Sequence, residues 1–101
     1  MTLATPSNTP VPGSTGQAIT VNVRYFASIR EAMGMGGEVV TTQAAHLGAL
    51  RDELIARGEP YAGPLARGKA VRMALDQTLA HEATPLVAGC EVAFFPPVTG
   101  G

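Results

Sequence analysis

Hydrophobic and polar positions alternate from residue 19 to residue 26. Ile19, Val21, Val23 and Tyr25 fall on one side, and Thr20, Asn22 and Arg24 on the other. Period two with β-branched residues predicts a half-buried strand. Phe26 falls on the polar side at its end. Ser28-Ile29-Arg30-Glu31 then matches a capping box, in which Ser28 and Glu31 satisfy each other's backbone donors. A short helix is expected, with Ile29, Ala32 and Met33 inward and Gly34, Gly36 and Gly37 ending it. Residues 38–42 predict a second strand centred on Val39 and Val40. Thr41 or Thr42 then caps a longer helix over 43–57, with Leu47, Leu50, Leu54 and Ile55 as its apolar stripe. Glu53 and Arg57 have the spacing of an outer-face ion pair. Gly58 suits the position after the helix, and Pro60 blocks continuation. Residues 58–69 hold three Gly and two Pro and read as a loop. Val71, Met73 and Leu75 alternate with polar or small neighbours in a third strand. Gln77-Thr78-Leu79-Ala80 turns and starts a short fourth. Residues 91–95 form the last strand, stopped by Pro96-Pro97, which donate nothing to a ladder.

One long helix, one short helix and four or five strands predict an α+β domain. In a β-grasp arrangement the long helix crosses a mixed sheet whose first and last strands lie side by side in the middle. The run Val92-Ala93-Phe94-Phe95 suits such a central strand, covered on both faces. Residues 1–17 are uncharged and dominated by Pro, Ser, Thr and Gly. Such a segment buries too little apolar surface to offset its ordering entropy, and a disordered leader is expected. The domain then runs over 18–96, and 97–101 forms a flexible tail.

Length and charge narrow the possibilities. The chain has 101 residues, seven Lys+Arg against eight Asp+Glu, and one cysteine. That size fits one small core. The near-neutral charge gives no case for nucleic acid or an anionic membrane surface. No apolar run approaches the roughly 20 residues that span a bilayer. A lone cysteine suits a reducing compartment, and a cytoplasmic domain is the expectation.

The candidate chemistry lies at the end. Val98-Thr99-Gly100-Gly101 directly follows the diproline. Pro-Pro lifts the segment off the last strand, and glycines without side chains can thread a narrow tunnel to another protein's active site. The alternative is a frayed end without function. Other groups offer less. Cys90 lies between Gly89 and Glu91 and lacks the positive neighbour that a reactive thiol needs. His46 and His81 have no metal-ligand spacing, so no metal is expected. Gly34-Met35-Gly36-Gly37 precedes a strand instead of the helix that a phosphate cradle needs, and reads as a turn. Arg51, Asp52 and Glu53 read as a solvated helix face. Phe94 and Phe95 must point to opposite faces. One belongs to the core; the other, with Phe26 or Leu79, is expected to leave an apolar patch, which usually marks an interface.

Phe94-Phe95-Pro96-Pro97-Val98-Thr99-Gly100-Gly101 resembles the ending of the molybdopterin synthase small subunits (MoaD-type), ubiquitin-like sulfur carriers of molybdenum cofactor biosynthesis. Gly89-Cys90-Glu91-Val92-Ala93 is similar to the family's Gly-Asp-Glu-Val-Ala, with Cys90 in place of the acid. Arg24-Tyr25-Phe26-Ala27, Arg30-Glu31 and 50–54 resemble its first strand and helices. Residues 74–79 resemble a stretch that usually has Asn where Asp76 stands. The resemblance covers residues 19–101. It implies a ubiquitin-like β-grasp fold and a mechanism. A partner adenylyltransferase of the ubiquitin-activating type uses ATP and Mg to adenylate Gly101, and sulfur converts it to a thiocarboxylate, a C-terminal 1-thioglycine. The carrier then donates its sulfur, inside a heterotetramer with the large, catalytic subunit, to precursor Z (cyclic pyranopterin monophosphate), forming the molybdopterin dithiolene. The carrier itself binds no cofactor. Gly101 bears the sulfur and Gly100 gives clearance. Phe26, Leu79, Phe95, Pro97, Val98, Thr99 and Arg30 are the expected partner contacts. The alternatives are a carrier for thiazole, tRNA thiolation or tungsten cofactor, a protein modifier, or a ubiquitin-like interaction module.

Overall fold

The computed structural model describes residues 18–97; the expected leader and the tail residues Val98, Thr99, Gly100 and Gly101 lie outside the described residues. Seven elements follow one another: β1 (Ile19–Tyr25), α1 (Ala27–Met33), β2 (Gly37–Thr42), α2 (Leu47–Ala56), β3 (Arg72–Leu75), β4 (Thr78–Ala80) and β5 (Glu91–Phe95). The strands form one sheet in the order β2-β1-β5-β3-β4. β1 and β5 pair in parallel at its centre, and every other neighbour is antiparallel. This is the expected α+β, β-grasp-like layout.

Alternation in β1 buries Val21, Val23 and Tyr25 and exposes Thr20, Asn22 and Arg24. The register sets Val23 beside Val92 and Tyr25 beside Phe94. Met73 faces Phe94 from the other side. Leu47, Leu50 and Leu54 of α2 complete one buried cluster with these side chains. β5 is buried at three consecutive positions, Val92, Ala93 and Phe94, as its central place requires. The β3–β4 hairpin turns on Asp76 and Gln77, both at positive φ (49° and 70°). Two such residues define the tight turn whose twist suits a two-residue hairpin. Asp76 Oδ1 accepts from the Glu91 backbone N–H at 2.9 Å. An Asn would offer the same acceptor, so Asp76 preserves this turn.

Several local expectations are corrected. Ser28 does not cap α1; Phe26 stands at the cap position with no side-chain cap bond, and the helix starts at Ala27. Phe26 N–H instead donates to the Phe94 carbonyl, so strand pairing holds the chain one residue beyond β1. Ala32 is exposed, and only Ile29 and Met33 of α1 are buried. α2 begins four residues later than expected. His46 caps it, its Nδ1 accepting from Ala49 N–H at 3.2 Å. Thr42 stays in the sheet, where its hydroxyl bonds both Ala44 N–H and the Glu53 carboxylate. Glu53 therefore turns to Thr42, and Arg57 lies over the Tyr61 ring. Val39 is exposed, on the outer side of β2.

Candidate functional site

The sheet has a second face, opposite the core. Its register aligns Arg24, Ala93, Ala74 and Leu79 across β1, β5, β3 and β4 in one row. Phe95 stands opposite Arg72 in the next row. Phe26 has extended backbone (φ −128°, ψ 154°), so it continues the alternation of β1 and falls on the side of Arg24. The Arg24 guanidinium sits 5.8 Å from the Phe26 ring centroid. Leu79 is 65% exposed and Phe26 41%, while Phe95 is half-buried. Ala74 and Ala93 form a small-residue floor between them. The three side chains singled out in the sequence, Phe26, Leu79 and Phe95, thus share one face.

That face adjoins the root of the tail. Phe95 ends β5 at the sheet's centre, and Pro96 and Pro97 lead the chain away, both half-buried. The fixed φ of each proline stiffens this exit. Pro96 borders a groove of about 340 Å³, whose walls include Ile29 and Ala32 of α1 and Pro64 and Val71 of the connection before β3. Arg30 is exposed on α1, its guanidinium against Gly36; a Cβ there would lie 3.4 Å from Nε.

The sequence reading missed a polar cluster at one end of α2. Arg51 is only 4% exposed, not solvated. Its Nε–H donates to the Leu65 carbonyl at 2.8 Å, and its Nη2 to the carbonyls of Ala66 (2.7 Å) and Lys69 (3.2 Å). Its Nη1 reaches Glu82 at 3.1 Å. Arg67 bridges Asp52 and Glu82 and donates to the Gly48 carbonyl. These bonds hold both carboxyls below their ordinary values. The sequence carried a signal: Leu47, Arg51 and Leu54 share one helix face, placing Arg51 on the apolar stripe. A second missed group is the Glu38 carboxylate, which accepts from the Tyr25 and Tyr61 hydroxyls, each at 2.8 Å. Burial, then this carboxylate, raises both phenols above their ordinary value.

Neither cluster assembles a nucleophile with a base. Cys90 is buried where β5 begins, and its carbonyl accepts from Asn22 N–H. His46 and His81 each accept from a backbone N–H in their own turn. No group of three metal ligands exists among the described residues, and no described helix is long and apolar enough to cross a membrane. The arrangement is a sheet face carrying Phe26, Leu79 and Phe95 beside a proline-stiffened exit from β5.

A mixed sheet in the order β2-β1-β5-β3-β4 with two helices defines a ubiquitin-like, β-grasp domain. The family model described as the ThiS family matches residues 23–101, and the chain belongs to that family. The molybdopterin synthase sulfur carrier subunit of Escherichia coli (strain K12) is 41% identical over 81 residues, 80% of this chain and 99% of the relative. The solution structure of the Haloferax volcanii HVO 2177 protein is similar, with TM-score 0.69 and 27% identity, covering 83% of this chain and 88% of that one. Subunit 1 and subunit 2 of molybdopterin-converting factor from Helicobacter pylori 26695 have been solved as a protein–protein complex; the matching chain has TM-score 0.55 and 30% identity, covering 82% of this chain and 100% of that one.

Proposed function

We propose that this chain is the sulfur-carrier subunit of a molybdopterin synthase. The observation that carries the reading is likeness along nearly the whole length of a named relative: 41% identity over 99% of the E. coli sulfur carrier subunit. The fold supports it by leading the chain out of the sheet's centre through Pro96 and Pro97, beside the face that carries Phe26, Leu79 and Phe95.

The chemistry takes place at Gly101. A carboxylate is a poor electrophile. A partner adenylyltransferase joins it to the α-phosphorus of ATP with Mg, and pyrophosphate leaves. A sulfur nucleophile attacks the mixed anhydride, AMP leaves, and a thiocarboxylate remains. The large synthase subunit then takes the tail, with Gly100 giving clearance. Sulfur passes to the pterin precursor, and water restores the carboxylate. Two carriers, one per large subunit in a heterotetramer, supply the two dithiolene sulfurs. Acid–base groups belong to the large subunit. Phe26, Leu79 and Phe95 form the shared contact for both partners, with Arg30 at the rim and Pro97, Val98 and Thr99 along the tail.

The test is intact mass after incubation with ATP, the adenylyltransferase and a sulfur donor. A gain equal to exchanging one oxygen for sulfur, absent in a Gly101 deletion, is expected. An unchanged mass with partners active on a control carrier would overturn the reading. An isopeptide bond to a lysine would identify a protein modifier instead.

A further inference from the structure

The charges of this molecule are unevenly paired. All three ion pairs among the described residues involve Arg51 or Arg67, with Asp52 or Glu82. The cations near the tail root are different. Lys69, the chain's only lysine, borders the groove beside Pro96. Its side chain is exposed and has no ion pair or hydrogen bond among the described residues. Yet its backbone is firmly held. The Lys69 carbonyl accepts from buried Arg51, and its N–H donates to the Ala66 carbonyl at 2.8 Å. A fixed loop therefore places an exposed lysine, without an ion pair among the described residues, on the lining of the groove. Ser28, which caps nothing, adds an unused hydroxyl to the same wall.

Geometry limits what can reach this groove. Residues 97–101 extend at most about 18 Å. A protein that takes Gly101 into its active site must therefore bring that site within about 18 Å of Pro96. Phe95 faces the outer side of the sheet, whereas Pro96 borders the groove. The tail root thus has two sides, and the apolar sheet face accounts for only one.

We propose that the groove between α1 and the connection before β3 is a second docking surface for the large synthase subunit, which lays an apolar side chain against Ile29, Pro64 and Val71 and a carboxylate against Lys69. The inference rests on the carrier reading for the identity of the partner. Opposite charge at the rim speeds encounter and fixes orientation more than it adds affinity. Two-sided grip would hold the root still while Gly101 reaches the chemistry.

The experiment measures association of the full chain with the large subunit of the same organism, at low and high salt. Lys69→Gln should slow association roughly three- to tenfold at low salt, with less effect at high salt. Ala32→Phe, at an exposed helix position on the groove wall, should weaken binding by blocking it. Thr20→Glu, at the far end of β1, removes the same unit of positive net charge and should bind as the wild type does. Melting temperatures check that each variant folds. Wild-type rates for both groove variants, or an equal loss in Thr20→Glu, would overturn the groove. Failure of the wild-type chain to bind the large subunit or to gain sulfur would overturn the carrier reading and the groove's partner with it. Normal charging and binding with no Lys69 effect would overturn the groove alone.

Discussion

Phe94 and Phe95 are neighbours in β5 with opposite surroundings: Phe94 is fully buried, its ring 6.2 Å from that of Tyr25, while Phe95 lies half-buried on the outer face opposite Arg72. Their substitutions should therefore separate stability from binding. Phe94→Ala should cost about 3–5 kcal/mol, as truncation of a core aromatic does. Phe95→Ala should cost about 1 kcal/mol or less in stability. It should weaken binding to the large subunit by about 2 kcal/mol if the patch centres on it. Urea unfolding and a binding titration on both variants check this; an equal loss of stability would place Phe95 in the core.

Arg51 ties α2 to the loop carrying Leu65, Ala66 and Lys69. Arg51→Met should destabilise the domain by about 3 kcal/mol, because three carbonyls lose a charged donor and Glu82 loses a partner. Arg51→Lys should recover little, since one ammonium cannot copy the planar fork. Hydrogen exchange should show the earliest opening over residues 63–70 in both variants.

The two tyrosines predict behaviour at alkaline pH. Tyr25 and Tyr61 are both raised above their ordinary value, first by burial and then by bonding to Glu38. The folded state holds these protons more tightly than the unfolded chain. Their contribution is complete below the unfolded value of about 10 and is lost as pH rises beyond it. Absorbance near 295 nm should show tyrosinate appearing together with unfolding. Tyr25→Phe should shift that transition to higher pH, even though it loses the bond to Glu38 at neutral pH.

Acid should act at the Arg67 cluster. Arg67 lowers both Asp52 and Glu82. Lowered carboxyls stabilise above the unfolded values of about 4 and lose that contribution as pH falls through the folded ones. Both groups are substantially exposed, so the effect should be small and salt-sensitive. Arg67→Ala should flatten the melting temperature between pH 5 and about 3.

Gln77 occupies a positive-φ position in the β3–β4 turn. Gln77→Gly should stabilise the hairpin by about 0.5–1 kcal/mol, because relief of left-handed strain exceeds the entropy glycine adds to the unfolded chain. A lower melting temperature would show that the side chain matters more than the backbone.

The amino-acid sequence by itself determined the elements, the inward side of β1 and the order that makes an α+β domain. Val21, Val23 and Tyr25 repeat with the strand's own period, and Leu47, Leu50 and Leu54 with the helix's, so local geometry suffices to read them. It also placed the glycine tail after a diproline, since covalent order alone fixes that. Tertiary structure decided the rest. Whether Phe26, Leu79 and Phe95 share a face depends on pairing between β1, β5, β3 and β4, and no local period records such register. The start of α2 moved because Thr42 remained in β2 opposite Ile19. Arg51 looked like a surface residue by type. It became buried because the 58–70 loop folds its carbonyls onto α2, and a charged fork is stable there only where distant acceptors meet it.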